Sequence, residues 1–367
     1  MRAADVLIYV EDPGAANFVA SLGRDLAAHG ISEVSYAGGS AFAHLQALGV
    51  AAERHRDGAD ARTLLAAHAV KLAVVGTAED PDTFGLALVA AARDLKIVSV
   101  GVVDGPMNAA FRFRGRSADP LAFCPDLVVV ADAGTRDSFV SLGIASARVV
   151  ACGHPQFDRV RQIRRELDAE GRPTVRRRVF PRAASAQRIA VFLAEISDGM
   201  TPVLYRCAPH WTLHGRGTSD RRTNIAIEEF LDASSDFGLY RVLRLHPKNA
   251  ESEFADVVGE FDMIDAGGLP FPQIYAADLV VGLTTFALDE AALLGRPTLS
   301  ILPDPSQASW LPSIACGITS VASARAQISP AIAAALRSPP SAAKLDICFP
   351  GNGAQLLAQA IADRLRM

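Results

Sequence analysis

Nothing limits the fold of this chain more than the short, unbroken apolar runs that recur along it. DVLIYV (Asp5 to Val10), LAVV (Leu72 to Val75), IVSVGVV (Ile97 to Val103), LVVV (Leu127 to Val130) and IAVFL (Ile189 to Leu193) are rich in valine and isoleucine. A strand with one wet face alternates apolar and polar residues. A run that is apolar throughout must be covered on both faces. Segments of helical character lie between the runs, among them about Phe18 to His29, Ala41 to Leu48, Phe84 to Asp94 and Ala133 to Leu142. Strand alternating with helix indicates an α/β protein with parallel sheets covered by helices.

The alternation breaks once. From about Arg159 to Arg188 the chain is rich in arginine and contains Pro173 and Pro181. A second series then begins at Ile189, with strands expected from Tyr240 running into His246, and at Met263-Ile264, Leu279 to Val281, Thr298 to Ile301 and Gly317 to Val321. A chain of 367 residues is long enough for two cores. The expected organisation is two doubly wound, Rossmann-like domains facing each other across a cleft. The first covers residues 1–158, a linker 159–188, the second domain 189–350, and a terminal helix 351–367. The basic run Arg172 to Arg182 reads as a solvated part of the linker, with a membrane or phosphate contact as the alternative.

Half of the residues are hydrophobic, 21% are charged, and the formal net charge is −4. That balance gives no reason to expect nucleic-acid binding. The five cysteines are scattered, with none at CxxC spacing, which implies neither a disulfide framework nor a zinc site. The opening MRAADVLIYVEDPG is not a signal-peptide pattern, and no apolar stretch approaches a membrane span. A cytoplasmic protein is expected, with the inner face of the membrane as a second address. HExxH, GK[ST], GxSxG and GxGxxG are all missing, so zinc-hydrolase, P-loop, serine-hydrolase and dinucleotide chemistry have no support, and neither a metal nor a cofactor is expected.

Several residues have the chemistry of a site. YRVLRLHPKN places His246, Pro247 and Lys248 just past a strand. An imidazole can donate to a phosphate or ribose, a lysine adds charge, and a proline stiffens the exit; the same triplet also makes a plain surface turn. Thr284 and Thr285 fall between a strand and a helix. They serve as helix caps, and hydroxyls beside free helix N–H groups also suit a phosphate. LHGRGTSDRRTN (Leu213 to Asn224) gathers His214, Arg216, Ser219, Arg221 and Arg222 in a polar segment that is either disordered or a contact for a donor phosphate or carboxylate. Arg112 and Arg114 can meet a carboxylate through their planar forks, or stand solvated on their loop.

The stretch from HPK to ADLVVGLTTFALDEAALLGRPTLSI resembles the C-terminal nucleotide-binding domain of GT-B glycosyltransferases. Its motifs are similar to those of bacterial sialyl-, polysialyl- and Kdo transferases that use CMP-sugars, and of CDP-glycerol glycerophosphotransferases. CPDLVVVADAGTRDSFVSLGIASARVVACGHPQFDR resembles the last αβ unit of the N-terminal GT-B domain, with His154 in a structural turn at the hinge. The resemblance implies that Glu290 holds ribose hydroxyls and that Asp104, in VSVGVVDGPMNAAFRFRG, is the base acting on the acceptor hydroxyl. Those families carry an acidic pair before the glycine; here Val103 stands in place of the first acid. Glu11 and Asp12 are the runner-up bases. Their loop EDPGAAN, with Gly14 and Asn17, is where a GT-B acceptor would approach.

The expected activity is therefore an inverting, metal-independent glycosyl transfer in the assembly of cell-surface polysaccharide. The donor is a nucleotide sugar, a CMP-linked acidic sugar foremost, and the acceptor a glycan, lipid-linked or protein group. Two alternatives stand beside it. One is a sugar-nucleotide epimerase or hydrolase of the UDP-N-acetylglucosamine 2-epimerase type, whose acidic and arginine-containing signatures are not evident in the sequence. The other is a GT-B-like glycan-assembly protein without catalysis.

Overall fold

The computed structural model describes residues 3–56, 58–77, 80–105, 108–196, 202–337 and 342–366. The chain forms two units, one of residues 1–159 with 349–367 and the other of residues 160–348.

The first unit runs β1 (Val6–Val10), α1 (Pro13–Val19), α2 (Leu22–Ala28), β2 (Glu33–Ala37), α3 (Gly39–Ala47), β3 (Glu53–Arg54), α4 (Ala61–Ala67), β4 (Leu72–Gly76), α5 (Phe84–Leu95), β5 (Val98–Val103), β6 (Leu127–Val130), α6 (Ala133–Ser141) and β7 (Val149–Ala151). Helix α7 (Pro155–Glu170) carries the chain past the unit boundary, and α8 (Arg172–Val179) follows. The second unit continues with β8 (Ile189–Leu193), α9 (Arg222–Ala233), β9 (Tyr240–Arg244), β10 (Met263–Asp265), α10 (Phe271–Ala276), β11 (Leu279–Gly282) and α11 (Phe286–Leu293). It ends with β12 (Thr298–Ile301), α12 (Pro312–Ala315), β13 (Ser320–Ala322), α13 (Arg325–Ala335) and α14 (Ala342–Cys348); α15 (Gly353–Arg366) belongs to the first unit.

Each unit is built on one parallel sheet, as the unbroken apolar runs require. The first has order β3-β2-β1-β4-β5-β6-β7 and the second β10-β9-β8-β11-β12-β13. Every residue of β1, β4, β6 and β8 is buried. The winding direction reverses between β1 and β4 in one sheet and between β8 and β11 in the other. At such points an open α/β sheet leaves a crevice beyond its strand ends, so the topology fixes where chemistry belongs in each unit.

Several local expectations need correction. The helix expected from Phe18 to His29 is two helices, and α1 starts inside the supposed EDPGAAN loop. Asp12 accepts from the Ala15 N–H at 2.9 Å and Pro13 sits at the first helical position, so cap and proline start the helix early. The stretch 159–188 is largely helical, and part of its basic run is tied down while Arg177 and Arg182 are exposed. Arg172 and Arg176 bind the Asp278 carboxylate at 2.6 and 2.8 Å, and Arg178 pairs with Glu170 at 2.9 Å. Two of the scattered cysteines, Cys316 and Cys348, form a disulfide across a sequence separation of 32. Helix α15 returns to the first unit because Leu357, Ala358 and Ile361 complete its core, while Asp158 accepts from the Asn352 and Ala354 N–H groups to start the helix.

Candidate functional site

The first unit places acids at the carboxyl ends of its central strands. Glu11 and Asp12 follow β1, Thr77 follows β4, and Asp104 follows β5. Glu11 is fully engaged. One carboxylate oxygen accepts from the Tyr9 hydroxyl at 2.5 Å and from the Phe84 N–H, and the other from the Thr83 hydroxyl. Asp12 caps α1. Asp104 is different: its side chain keeps 27% of its exposure and faces the buried Arg112 guanidinium at 3.4 Å. Arg112 also donates to the Thr77 carbonyl at 2.9 Å, so one arginine ties the ends of β4 and β5 together. The neighbouring Arg114 is aimed elsewhere, with its guanidinium 4.2 Å from the centre of the Phe111 ring.

Gly14 is the residue that lets Asp104 sit where it does. A methyl group on Gly14 would lie 1.9 Å from Asp104 Oδ2 and 3.3 Å from Asp12 Oδ1. Two carboxylates therefore crowd the first turn of α1. Asn17, one turn along, is used inside the unit, its side chain bonding His44 Nε2 at 2.7 Å. His154 is buried against Phe18 and Phe157, its Nδ1 accepting from the Gln156 N–H.

In the second unit the strand ends converge on a charged pair, Arg222 with Glu195, of which the sequence reading named only the arginine. Glu195, two residues past β8, accepts from the backbone N–H groups of Leu283 and Thr284 at 3.2 and 2.6 Å, and from the Thr284 hydroxyl at 3.2 Å. Its partner is Arg222, the first residue of α9 and almost fully buried, which also donates to Thr284 Oγ1 at 3.1 Å and to Gln307 Oε1 at 2.5 Å. The rings of Tyr205 and Trp310 lie 5.3 and 5.7 Å from the guanidinium. Glu195 and Arg222 are 27 residues apart, and each alone is an ordinary loop or helix-start residue. A carboxylate just past an apolar strand was the available signal.

Around this pair stand most of the residues expected to hold a nucleotide. His246 Nδ1 accepts from the Lys248 N–H at 3.1 Å, which leaves Nε2 to carry the ring proton as a donor. Burial, and then the Lys248 ammonium, hold the imidazole below its ordinary pKa. Pro247 and Lys248 are exposed on the same turn. Asn249 fixes that turn by accepting from the His246 N–H and donating to the Glu195 carbonyl at 3.4 Å. Thr285 caps α11, its hydroxyl accepting from Ala287, and Glu290 is buried in the second turn of that helix. The first turn of α11 presents N–H groups with no carbonyl partner inside the helix.

No described contact joins Arg216, Ser219 or the Arg221 side chain to this cluster. Arg216 is held by Glu260 at 2.5 Å and then by Asp232 at 2.7 Å, which raise its pKa. Ser219 Oγ accepts from the Arg221 N–H, and Arg221 is the cap residue of α9. The polar loop reaches the strand ends through Arg222 instead. Among the described residues, no group of three or more His, Cys, Asp or Glu side chains is placed to hold a metal ion.

No family model matches the sequence, and no curated protein matches it significantly. The fold does match solved structures over nearly the whole chain. The UDP-GlcNAc 2-epimerase of Neisseria meningitidis bound to UDP-GlcNAc superposes with a TM-score of 0.68 at 14% identity, covering 98% of this chain and 99% of that one. The UDP-GlcNAc 2-epimerase of Methanocaldococcus jannaschii gives 0.69 at 12% identity, with the same coverage. S. aureus MnaA with UDP gives 0.64 at 12%, covering 100% of this chain and 96% of that one. The architecture is thus the GT-B-like fold of two parallel-sheet α/β domains. The expected glycosyltransferase assignment is corrected by this comparison: the Neisseria and Methanocaldococcus matches are UDP-GlcNAc 2-epimerases, not CMP-sugar transferases.

Proposed function

We propose that this chain is a sugar-nucleotide enzyme of the UDP-N-acetylglucosamine 2-epimerase type, acting as an epimerase or as a hydrolase that releases the sugar. The observation that carries the reading is end-to-end agreement with structures described as UDP-GlcNAc 2-epimerases, one of them bound to UDP-GlcNAc. The geometry within each unit is compatible with it. In the second unit, His246 Nε2, the Thr285 turn and Glu290 offer donors for a phosphate and an acceptor for a ribose. In the first unit, Asp104 is the carboxylate left over once Glu11 and Asp12 are committed to structure.

Inverting a carbon that bears hydrogen requires removal of the proton from one face and its return on the other. A partly exposed carboxylate beside a guanidinium is suited to that exchange. Arg112, 3.4 Å away, orients the Asp104 carboxylate in the resting state. Lys248 and the first turn of α11 supply positive potential for a diphosphate, so the nucleotide can be bound without a metal.

The test is to incubate the full chain with UDP-GlcNAc in D2O and follow the sugar by proton NMR. The expected result is loss of the C2 proton signal by exchange, with either the C2 epimer or free sugar accumulating. Asp104→Asn should slow this by about 100-fold or more, while UDP binding measured by calorimetry stays within a few-fold. His246→Ala should show the reverse pattern, weakened UDP binding first. If UDP and UDP-GlcNAc fail to bind and no exchange occurs, the reading is wrong.

A further inference from the structure

The strand-end cluster lies at one end of the second sheet. At the opposite end, where β11 and β12 begin, four arginines meet two carboxylates. Asp278, immediately before β11, spends both oxygens on Arg172, Arg176 and the Ile189 N–H. Asp168 accepts from the Tyr275 hydroxyl at 2.7 Å and lies 3.7 Å from Arg164 Nε. That leaves Arg296, in the turn between α11 and β12, with no carboxylate of its own among the described residues. The one described hydrogen bond of its side chain is a long one, Nε to the Leu294 carbonyl at 3.4 Å, and its guanidinium lies 5.6 Å from the Tyr275 ring centre. Arg172 Nε is likewise buried without a described partner. Arg164 donates to the Leu293 carbonyl at 3.0 Å and lies flat on Gly295, whose φ of +77° suits glycine and where a methyl group would come 3.0 Å from Nη2.

Excess positive charge on partly buried side chains is costly, and the electrostatics register it. Burial, and then the Arg172 cation, push Arg296 down to about 10. A structural arginine cluster would normally be neutralised by its own acids. Here the supply of acids stops short of the arginines. Planar guanidinium forks gathered at one end of the sheet match a tetrahedral oxyanion, and two surplus charges match a dianion.

We propose that Arg164, Arg172 and Arg296 form a binding site for a phosphate group, separate from the strand-end cluster and independent of the catalytic reading above. The phosphate belongs either to a soluble phosphorylated molecule or to the headgroup of an anionic lipid. The chemistry of recognition is the same for both: bidentate guanidinium bonds to phosphate oxygens, with Tyr275 as an apolar wall.

Calorimetric titration of the full chain with inorganic phosphate, at constant ionic strength in chloride, tests the site. The expected result is saturable binding that Arg296→Met weakens about tenfold, the weight of one charge-assisted hydrogen bond. Arg62→Met, an exposed arginine of the first unit, should leave it unchanged. Absence of saturable phosphate binding, or equal binding by Arg296→Met, overturns the proposal. Should Arg296→Met fail to fold, Arg296→Lys keeps the charge and loses the fork, and a several-fold loss is expected from it instead. Sedimentation with phosphatidylcholine vesicles, with and without phosphatidic acid, separates the sources. Sedimentation that needs phosphatidic acid, needs Arg296 and is competed by phosphate assigns the lipid headgroup. Arg296-dependent phosphate binding without sedimentation assigns the soluble molecule.

Discussion

Asp104 rests on the first turn of α1 at a point that only Gly14 leaves open: a methyl group at position 14 would lie 1.9 Å from Asp104 Oδ2 and 3.0 Å from Cγ. The contact joins the helix after β1 to the loop after β5, on either side of β4. A glycine inside a helix is otherwise a loss, since alanine there is about 1 kcal/mol better. Gly14→Ala should therefore destabilise the protein by about 2 kcal/mol through overpacking, measured as a shift of the urea midpoint. In an Asp104→Ala background the same change should become neutral or stabilising. Equal cost in both backgrounds would show that the clash does not govern the position.

The same two residues show what the sequence could and could not reveal. Asp104 was legible because it ends an apolar run, and the strands were legible because a doubly covered strand must be apolar throughout. Strand β3 escaped because it is two exposed polar residues, Glu53 and Arg54, held only by pairing with β2. Helix α1 escaped because proline and glycine read as loop until the Asp12 cap is seen. The Glu195–Arg222 pair and the Cys316–Cys348 bond are long-range encounters of residues that carry no local pattern. Only the winding of the second sheet brings Glu195 to the N–H groups that end β11.

That pair supplies a second prediction. Arg222 is almost fully buried, and removing it strands the Glu195 carboxylate against the strand end. Arg222→Met should cost about 3–5 kcal/mol, read by urea unfolding. Glu195→Gln, which keeps the shape and an acceptor, should cost less. The double variant should lose less than the sum of the singles by at least about 1 kcal/mol. Additive losses would mean that the two side chains are stabilised separately.

The disulfide gives a third. It closes a loop across 32 residues of the second unit, from the end of α12 to the last residue of α14. Cross-linking a loop of that length restricts the unfolded chain by about 3.5 kcal/mol in the entropy model. Reduction, or Cys316→Ser with Cys348→Ser, should lower stability by a similar amount. Cys124, Cys152 and Cys207 are free, so thiol counting under denaturing conditions should report three groups before reduction and five after it. Five before reduction would remove the bond from the account.

The fourth concerns acid stability and rests on His154. Burial pushes its imidazole down from 6.5 to about 4, with the Asp104 charge opposing weakly. The folded protein thus keeps His154 neutral over a range where the unfolded chain takes up a proton. Stability rises with pH wherever the unfolded state binds more protons, so the contribution is intact above about pH 6.5 and is lost as pH falls toward 4. A shift of that size corresponds to roughly 3 kcal/mol. Asp5, held down to about 2 mainly by the Lys71 ammonium and then by Ser32, acts in a lower window, so the two do not overlap. His154→Asn retains an acceptor for the Gln156 N–H and removes the titration. Urea midpoints measured from pH 7 to pH 4.5 should fall more steeply for the wild type than for this variant. Parallel curves would assign the acid sensitivity of the protein to groups other than His154.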